Sequence, residues 1–143
     1  PAGYVGEVIE YTYTSGSITG STTLGTYTDA LTGCTLTAGL WDIIISASSK
    51  IIWDSGSGGV RTEFALTDNS DNIIEIAPSN YADTNQPIAF GRHIIFENLT
   101  LTTPTTYKLR FSAIAVSGSP VISLIEILSA STIPIKFKAI RRG

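Results

Sequence analysis

Methionine is absent from the 143 residues, cysteine and histidine occur once each, and charged side chains make up only 15% of the chain. Each shortage removes a class of function. With Cys34 alone there is no intrachain disulfide, and it is expected to be a small buried or half-buried side chain. One cysteine and one histidine exclude a Cys/His metal centre, and no loop has the spaced acidic ligands of a calcium site, so neither a metal nor a cofactor is expected. A Ser/His/Asp arrangement would have to use His93, but no G-x-S-x-G turn occurs and no neighbour in sequence marks a nucleophile. The chain reads as a non-enzyme, with one reservation: the spacing that matters in a glycosidase carboxylate pair is spatial, and 12 acidic residues leave such a pair open.

The remaining absences bound partners and setting. A net charge of -3 and a pI near 5.0 give no general attraction to nucleic acid or anionic membranes. Lys136, Lys138, Arg141 and Arg142 gather near the C-terminus and read as a solvated strand face. The most apolar stretch, residues 121–128, is too short to span a bilayer and carries Glu126. A start at Pro1 without any methionine makes the sequence read as a piece of a longer polypeptide, residues 1–3 being the end of a linker.

What is present is Thr, Ser, Ile and Gly, with 43% hydrophobic residues, enough for one core in one domain spanning 1–143. The clearest pattern lies in residues 36–53 (LTAGLWDIIISASSKIIW). Trp41, Ile43, Ile45, Ala47, Ile51 and Trp53 share one parity, and Asp42, Ser46, Ser48 and Lys50 the other, as in a half-buried strand. Continuous from 40 to 53 it would be roughly 46 Å long, so a bulge or bend is expected near Ser48-Ser49. Ile44 and Ile52 break the polar parity. Residues 60–67 alternate cleanly, as do 107–113, after which Ile114 and Val116 make the second face apolar.

Turn chemistry separates these runs. Residues 54–59 (DSGSGG) and 117–120 (SGSP) read as hairpin loops, 29–33 and 68–72 (DNSDN) as turns, and 15–23 as a loop before a short strand at 24–28. No Lys-Ser/Thr and no helix follows DSGSGG, so it is not a phosphate cradle. A parity shift within 90–101 predicts a bulge at Glu97-Asn98. For 121–128 a short helix capped by Ser119 and Pro120 competes with a strand, and the β-branched content favours the strand. Further strands are expected at 4–14, 34–37, 73–77 and 133–142. About nine or ten strands make an all-β, antiparallel two-sheet sandwich of jelly-roll type the natural closure.

Two surfaces stand out. The loop at 78–87 (PSNYADTNQP) sets Tyr81 among Asn80, Asp83 and Asn85, an aromatic face with short polar groups of the kind that contacts sugars or other receptors, although a plain solvated connection has the same composition. Outward apolar residues Ile44, Ile52, Ile114 and Val116 need cover, which predicts a homo-oligomer with these residues in the interface.

Four segments, in order along the chain, carry a family resemblance. They are Gly3, Val5, Gly6 and Glu7; Leu36, Thr37, Ala38, Gly39, Trp41 and Asp42; Thr105, Thr106, Tyr107 and Leu109; and Ala139, Arg141 and Arg142. Together they resemble the C-terminal jelly-roll domains of tailed-bacteriophage tail fibres and related virion proteins. The resemblance implies a homotrimer on a virion, beside other virion proteins, touching a host cell-surface glycan or protein receptor. Trimerisation would place Ile44, Ile52, Ile114 and Val116 around the threefold axis. Alternatives are a purely structural trimerisation, head-fibre or capsid-decoration domain, a polysaccharide depolymerase, and a trimeric adhesion or signalling domain outside viruses.

Overall fold

The alternation between Trp41 and Trp53 dictates a strand with one buried face, and the fold is assembled on that strand. In a computed structural model the described residues are 5–77, 88–132 and 134–143, with the backbone alone at 77 and 88–95. They form eight strands and no helix: β1 (Val8–Tyr13), β2 (Ile18–Thr19), β3 (Thr28–Leu36), β4 (Gly39–Asp68), β5 (Ile73–Ala77), β6 (Ile88–Leu101), β7 (Thr105–Leu128) and β8 (Ile135–Arg141). The central strand is therefore 30 residues long.

Both edges of β4 are occupied. On one edge β8 pairs with residues 41–46 and β7 with 48–68; on the other β6 pairs with 39–51 and β5 with 64–67. Along the far side of β8 and β7 run β1, β2 and β3 in chain order, and every pairing is antiparallel. The molecule is thus one long sheet four tracks wide, with β1-β2-β3, β8-β7, β4 and β6-β5 as the tracks.

Two contacts across the sheet reveal how it is rolled. A Cβ on Gly20 would lie 3.0 Å from Phe111 Cζ and 3.2 Å from Ile125 Cγ2, yet Phe111 is paired with Phe64 and Ile125 with Ile51. The Tyr11 hydroxyl lies 3.1 Å from both the carbonyl oxygen and the amide of Thr35, although Tyr11 tracks to Ile45 through Phe137 and Thr35 pairs with Thr106 beyond the far end of β4. Both contacts join points that straddle Ser57 almost symmetrically along β4. The sheet folds over at Ser57, and its halves face each other as a curled, jelly-roll-like sandwich.

The interior follows the expected parity. Trp41, Ile43, Ile45 and Ile51 from the first half of β4 meet Phe64 and Leu66 from the second, with Leu109, Phe111, Ile125 and Phe137 completing the layer between them. Cys34 is fully buried there, as expected. Residues 121–128 are strand, inside β7. The bulge at Glu97-Asn98 is present: Trp41 pairs with Leu99 but Ile43 with Phe96, Asn98 takes φ +58°, and its N–H donates to Asp42 Oδ1 at 3.0 Å.

Other expectations are corrected. Neither DSGSGG nor SGSP is a hairpin turn. The two runs lie opposite each other inside the β4–β7 pair, Gly56 against Pro120, Ser57 against Ser119 and Gly58 against Gly118. Glycine is needed because the backbones approach closely: a Cβ on Gly58, at φ +96°, would collide with the Ser117 carbonyl, and one on Gly118, at φ +65°, would come within 2.5 Å of the Ser57 carbonyl oxygen. Losing two hairpins brings the strand count to eight. The bend sits at this corner, with register shifts between Ile52 and Ser55 and between Gly59 and Val60, rather than at Ser48-Ser49. Residues 29–33 are not a turn but an irregular part of β3, and the short strand expected at 24–28 is replaced by β2 further upstream.

Candidate interaction surface

The two ends of the roll differ in chemistry. At one end residues 6–7, residues 141–143 and the start of β4 at Leu40 are stitched together. Gly6 N–H donates to the Arg141 carbonyl, Arg141 N–H to Glu7, Arg142 N–H to Leu40, and Leu40 N–H to Gly143, all between 2.7 and 2.9 Å. Trp41 is buried beneath them, its Nε1–H donating to the Thr37 carbonyl at 2.9 Å, with the Arg141 guanidinium 5.8 Å from its ring centroid. Arg141 also reaches Thr37 Oγ1 at 3.1 Å and Glu7 at 3.8 Å, while Arg142 pairs with Asp42 at 2.7 Å. Leu36 pairs with Thr105 in the same region. Described residues of three motif segments far apart in sequence (Gly6 and Glu7; Thr37, Trp41 and Asp42; Arg141 and Arg142) therefore meet in one packing node, and the fourth adjoins it through the Leu36–Thr105 pair.

At the opposite end the β4–β7 corner projects. Gly20 donates to the Ile125 carbonyl and Gly25 to Ala113, so the first track crosses the bend in five residue steps, about 18 Å at most, whereas β7 takes twelve between the same points, about 40 Å at strand rise. The excess length stands out from the body, and residues 54–58 and 115–119 are exposed in succession without the alternation of a half-buried strand. Its chemistry is nearly uncharged. Ser55, Ser57, Ser117 and Ser119 offer hydroxyls, Thr22, Thr23 and Thr26 add more on the adjoining segment, Asp54 is the one carboxylate of the corner strands, and Val116 and Val121 are each 48% exposed.

The four interface candidates do not form a single patch. Ile44 and Ile52 are half-buried on the outer face of the first layer, in register with Lys138 and Leu124; Ile114 lies on the second layer opposite Arg61; Val116 belongs to the projecting corner. Asn80, Tyr81, Asp83 and Asn85 lie outside the described residues, as does the His93 side chain. Among the described residues, β5 ends beside Phe64 and β6 begins beside Ile51, one on each side of the corner.

On its outer face the second layer carries an ion-pair ladder that sequence reading missed. Lys108 Nζ lies 2.7 Å from Asp71 and 3.6 Å from Asp29; Arg110 Nε lies 2.7 Å from Asp29 and 3.8 Å from Asp71, while Arg110 Nη2 donates to the Tyr27 carbonyl at 3.1 Å; the Tyr27 hydroxyl in turn donates to Glu63 at 3.0 Å. The hydrogen bond from Lys108 holds the Asp71 carboxyl below its ordinary range. Burial, then the Glu63 bond, pushes the Tyr27 phenol up to about 12. Beneath the ladder Ala65, Thr67 and Ser112 are buried, so part of this second face is covered. The signal available in sequence was alternation of Lys108 and Arg110 with apolar residues, but their partners come from β3 and the β4–β5 turn, which pairing alone brings near.

No group of three metal-ligating side chains occurs among the described residues. Burial raises the Cys34 thiol to about 12, which makes it inert.

No protein-family model and no curated protein matches the chain. Among solved structures it is similar to chains of infectious bursal disease virus: the crystal structure of the viral particle (11% identity, TM-score 0.48, covering 94% of this chain and 35% of that one), the VP2 subviral particle (12%, 0.42, 94% and 37%) and the Gt strain (12%, 0.44, 94% and 38%). The chain spans little more than a third of the length of each of these.

Proposed function

We propose that this chain is a virion structural domain of the tail-fibre type, trimeric, holding its stitched end toward the particle and presenting the projecting corner to a host surface glycan. The observation that carries the reading is the convergence of three of the motif segments on the Trp41–Arg141 node, with the fourth laddered to Leu36 beside it. It gives these motifs a common structural purpose, closure of the roll at one end. Attachment at that end leaves the hydroxyl-bearing corner outermost. Weak contacts there would gain from three copies acting together.

A cyclic trimer joins two different patches at each contact, so Ile44 and Ile52 on one layer and Ile114 on the other suit the two sides of a heterologous interface. Ile44→Asp should dissociate or unfold such a trimer. A particle mass equal to one chain for the wild type at micromolar concentration sinks the trimeric reading. Binding of the wild-type domain to intact host cells tests attachment, with Ser57→Glu together with Ser119→Glu expected to abolish it; binding unaffected by the pair removes the corner from the reading. Release of reducing ends from host polysaccharide would instead establish a depolymerase.

A further inference from the structure

We propose that β5 is a strap held on the edge of the roll by the Asp71 latch rather than by burial, and that it opens independently of the body when that latch is screened or cut. Residues 71–76 are all exposed, and Ile73, Ile74 and Ile76 keep 48%, 46% and 42% of their surface in solvent, so the strand places almost no apolar area in the core. Its ladder to β4 is short, Phe64–Ala77 to Thr67–Ile73, and is interrupted by a register shift. What ties it down is the turn before it. There Asp68 accepts from the Ser70 and Asn72 amides at 2.8 and 3.0 Å and orders the chain, and Asp71 reaches across β4 to Lys108, whose side chain is only 14% exposed. Asp29 on β3 and Arg110 on β7 complete the latch. One hairpin is thus anchored to two strands that belong to the body. Opening would leave the Phe64–Thr67 edge of β4 without its partner while β3, β7 and the core stay paired.

Hydrogen exchange read by mass spectrometry separates strap from body. In the intact chain, amides of residues 72–77 should exchange faster in about 0.5 M sodium chloride than in low salt, because partly exposed ion pairs are screened there. Lys108→Met should accelerate them roughly threefold or more in low salt and weaken the salt response, leaving only the 3.8 Å Arg110–Asp71 pair to be screened, with exchange in 105–113 unchanged. Asp71→Asn, at an exposed position, should reproduce the effect should Lys108→Met fold poorly. Exchange of 72–77 that ignores salt and both substitutions overturns the proposal. So does acceleration spread equally over β3, β4 and β7, since the strap would then open only with the whole fold.

Discussion

Alanine in place of Gly58 tests the corner directly, and Gly25 supplies the control. Both glycines have positive φ, +96° and +84°, so both substitutions impose a left-handed conformation on a residue with a Cβ, at roughly 1–2 kcal/mol. Both also reduce the freedom of the unfolded chain, a common gain of about 0.4–1 kcal/mol that cancels between them. The surroundings differ. Around Gly25 a Cβ meets nothing within 4 Å, whereas at Gly58 it runs into the Ser117 carbonyl, a backbone atom held by the opposing strand. Overpacking of this kind adds about 1–3 kcal/mol. Gly58→Ala should therefore be less stable than Gly25→Ala by that amount, seen in urea as a midpoint roughly 1 M lower with unchanged slope. Equal midpoints for the two variants would refute close backbone approach as the reason for glycine here, and with it the account of the corner.

Other perturbations probe the remaining parts. Trp41→Ala removes a fully buried indole and its bond to Thr37, and should cost about 3–5 kcal/mol in urea denaturation. Asp42→Ala strips the bulge amide of Asn98 and the Arg142 guanidinium of their shared acceptor, for about 1–2 kcal/mol by the same measurement. Cys34 should be unreactive toward a thiol reagent in the native protein and react on unfolding; fast native labelling contradicts its burial. Because the folded pKa values of Cys34 and Tyr27 are raised from 9.0 and 10.0 to about 12, the folded state retains protons that the unfolded state loses. Their contribution to stability is complete below those ordinary values and should fall away as pH rises toward 12, which a pH series of urea midpoints will show.

How much of this was legible beforehand depends on whether the deciding interaction was local. The parity of residues 41–51 gave the buried face of β4, because side-chain direction in a strand is set residue by residue, and it fails at half-buried Trp53, where the register shifts begin. The bulge at Glu97-Asn98 was equally legible, since an inserted residue leaves a parity break in the strand that carries it. DSGSGG misled because glycine has two uses: turns need its positive φ, and paired backbones need its missing Cβ. The distinction lies in what stands opposite, and SGSP is about sixty residues away. The ladder of Asp29, Asp71, Lys108 and Arg110 was illegible for the same reason, joining three elements whose adjacency is a product of the roll.

That separation bears on what the motifs mean. Glu7, Thr37, Trp41, Asp42, Arg141 and Arg142 are all engaged with one another around a single node, through a stacked guanidinium, a buried indole and short charge-assisted bonds. Residues so engaged have little left with which to greet a partner, and substituting them perturbs folding before recognition. Motifs of this kind mark how the sheet is closed, not what it binds. Recognition would fall to residues that closure leaves free, and at the corner these are serines and glycines whose main-chain pairing is already satisfied. Such a surface tolerates change in its serine side chains while its glycines are fixed by backbone contact. Under the proposed attachment role, substitutions at Ser55, Ser57 and Ser119 should consequently alter binding at constant stability, whereas those at Gly58 and Gly118, and at Ser117, whose Oγ accepts from the Gly59 N–H at 3.3 Å, should alter stability first.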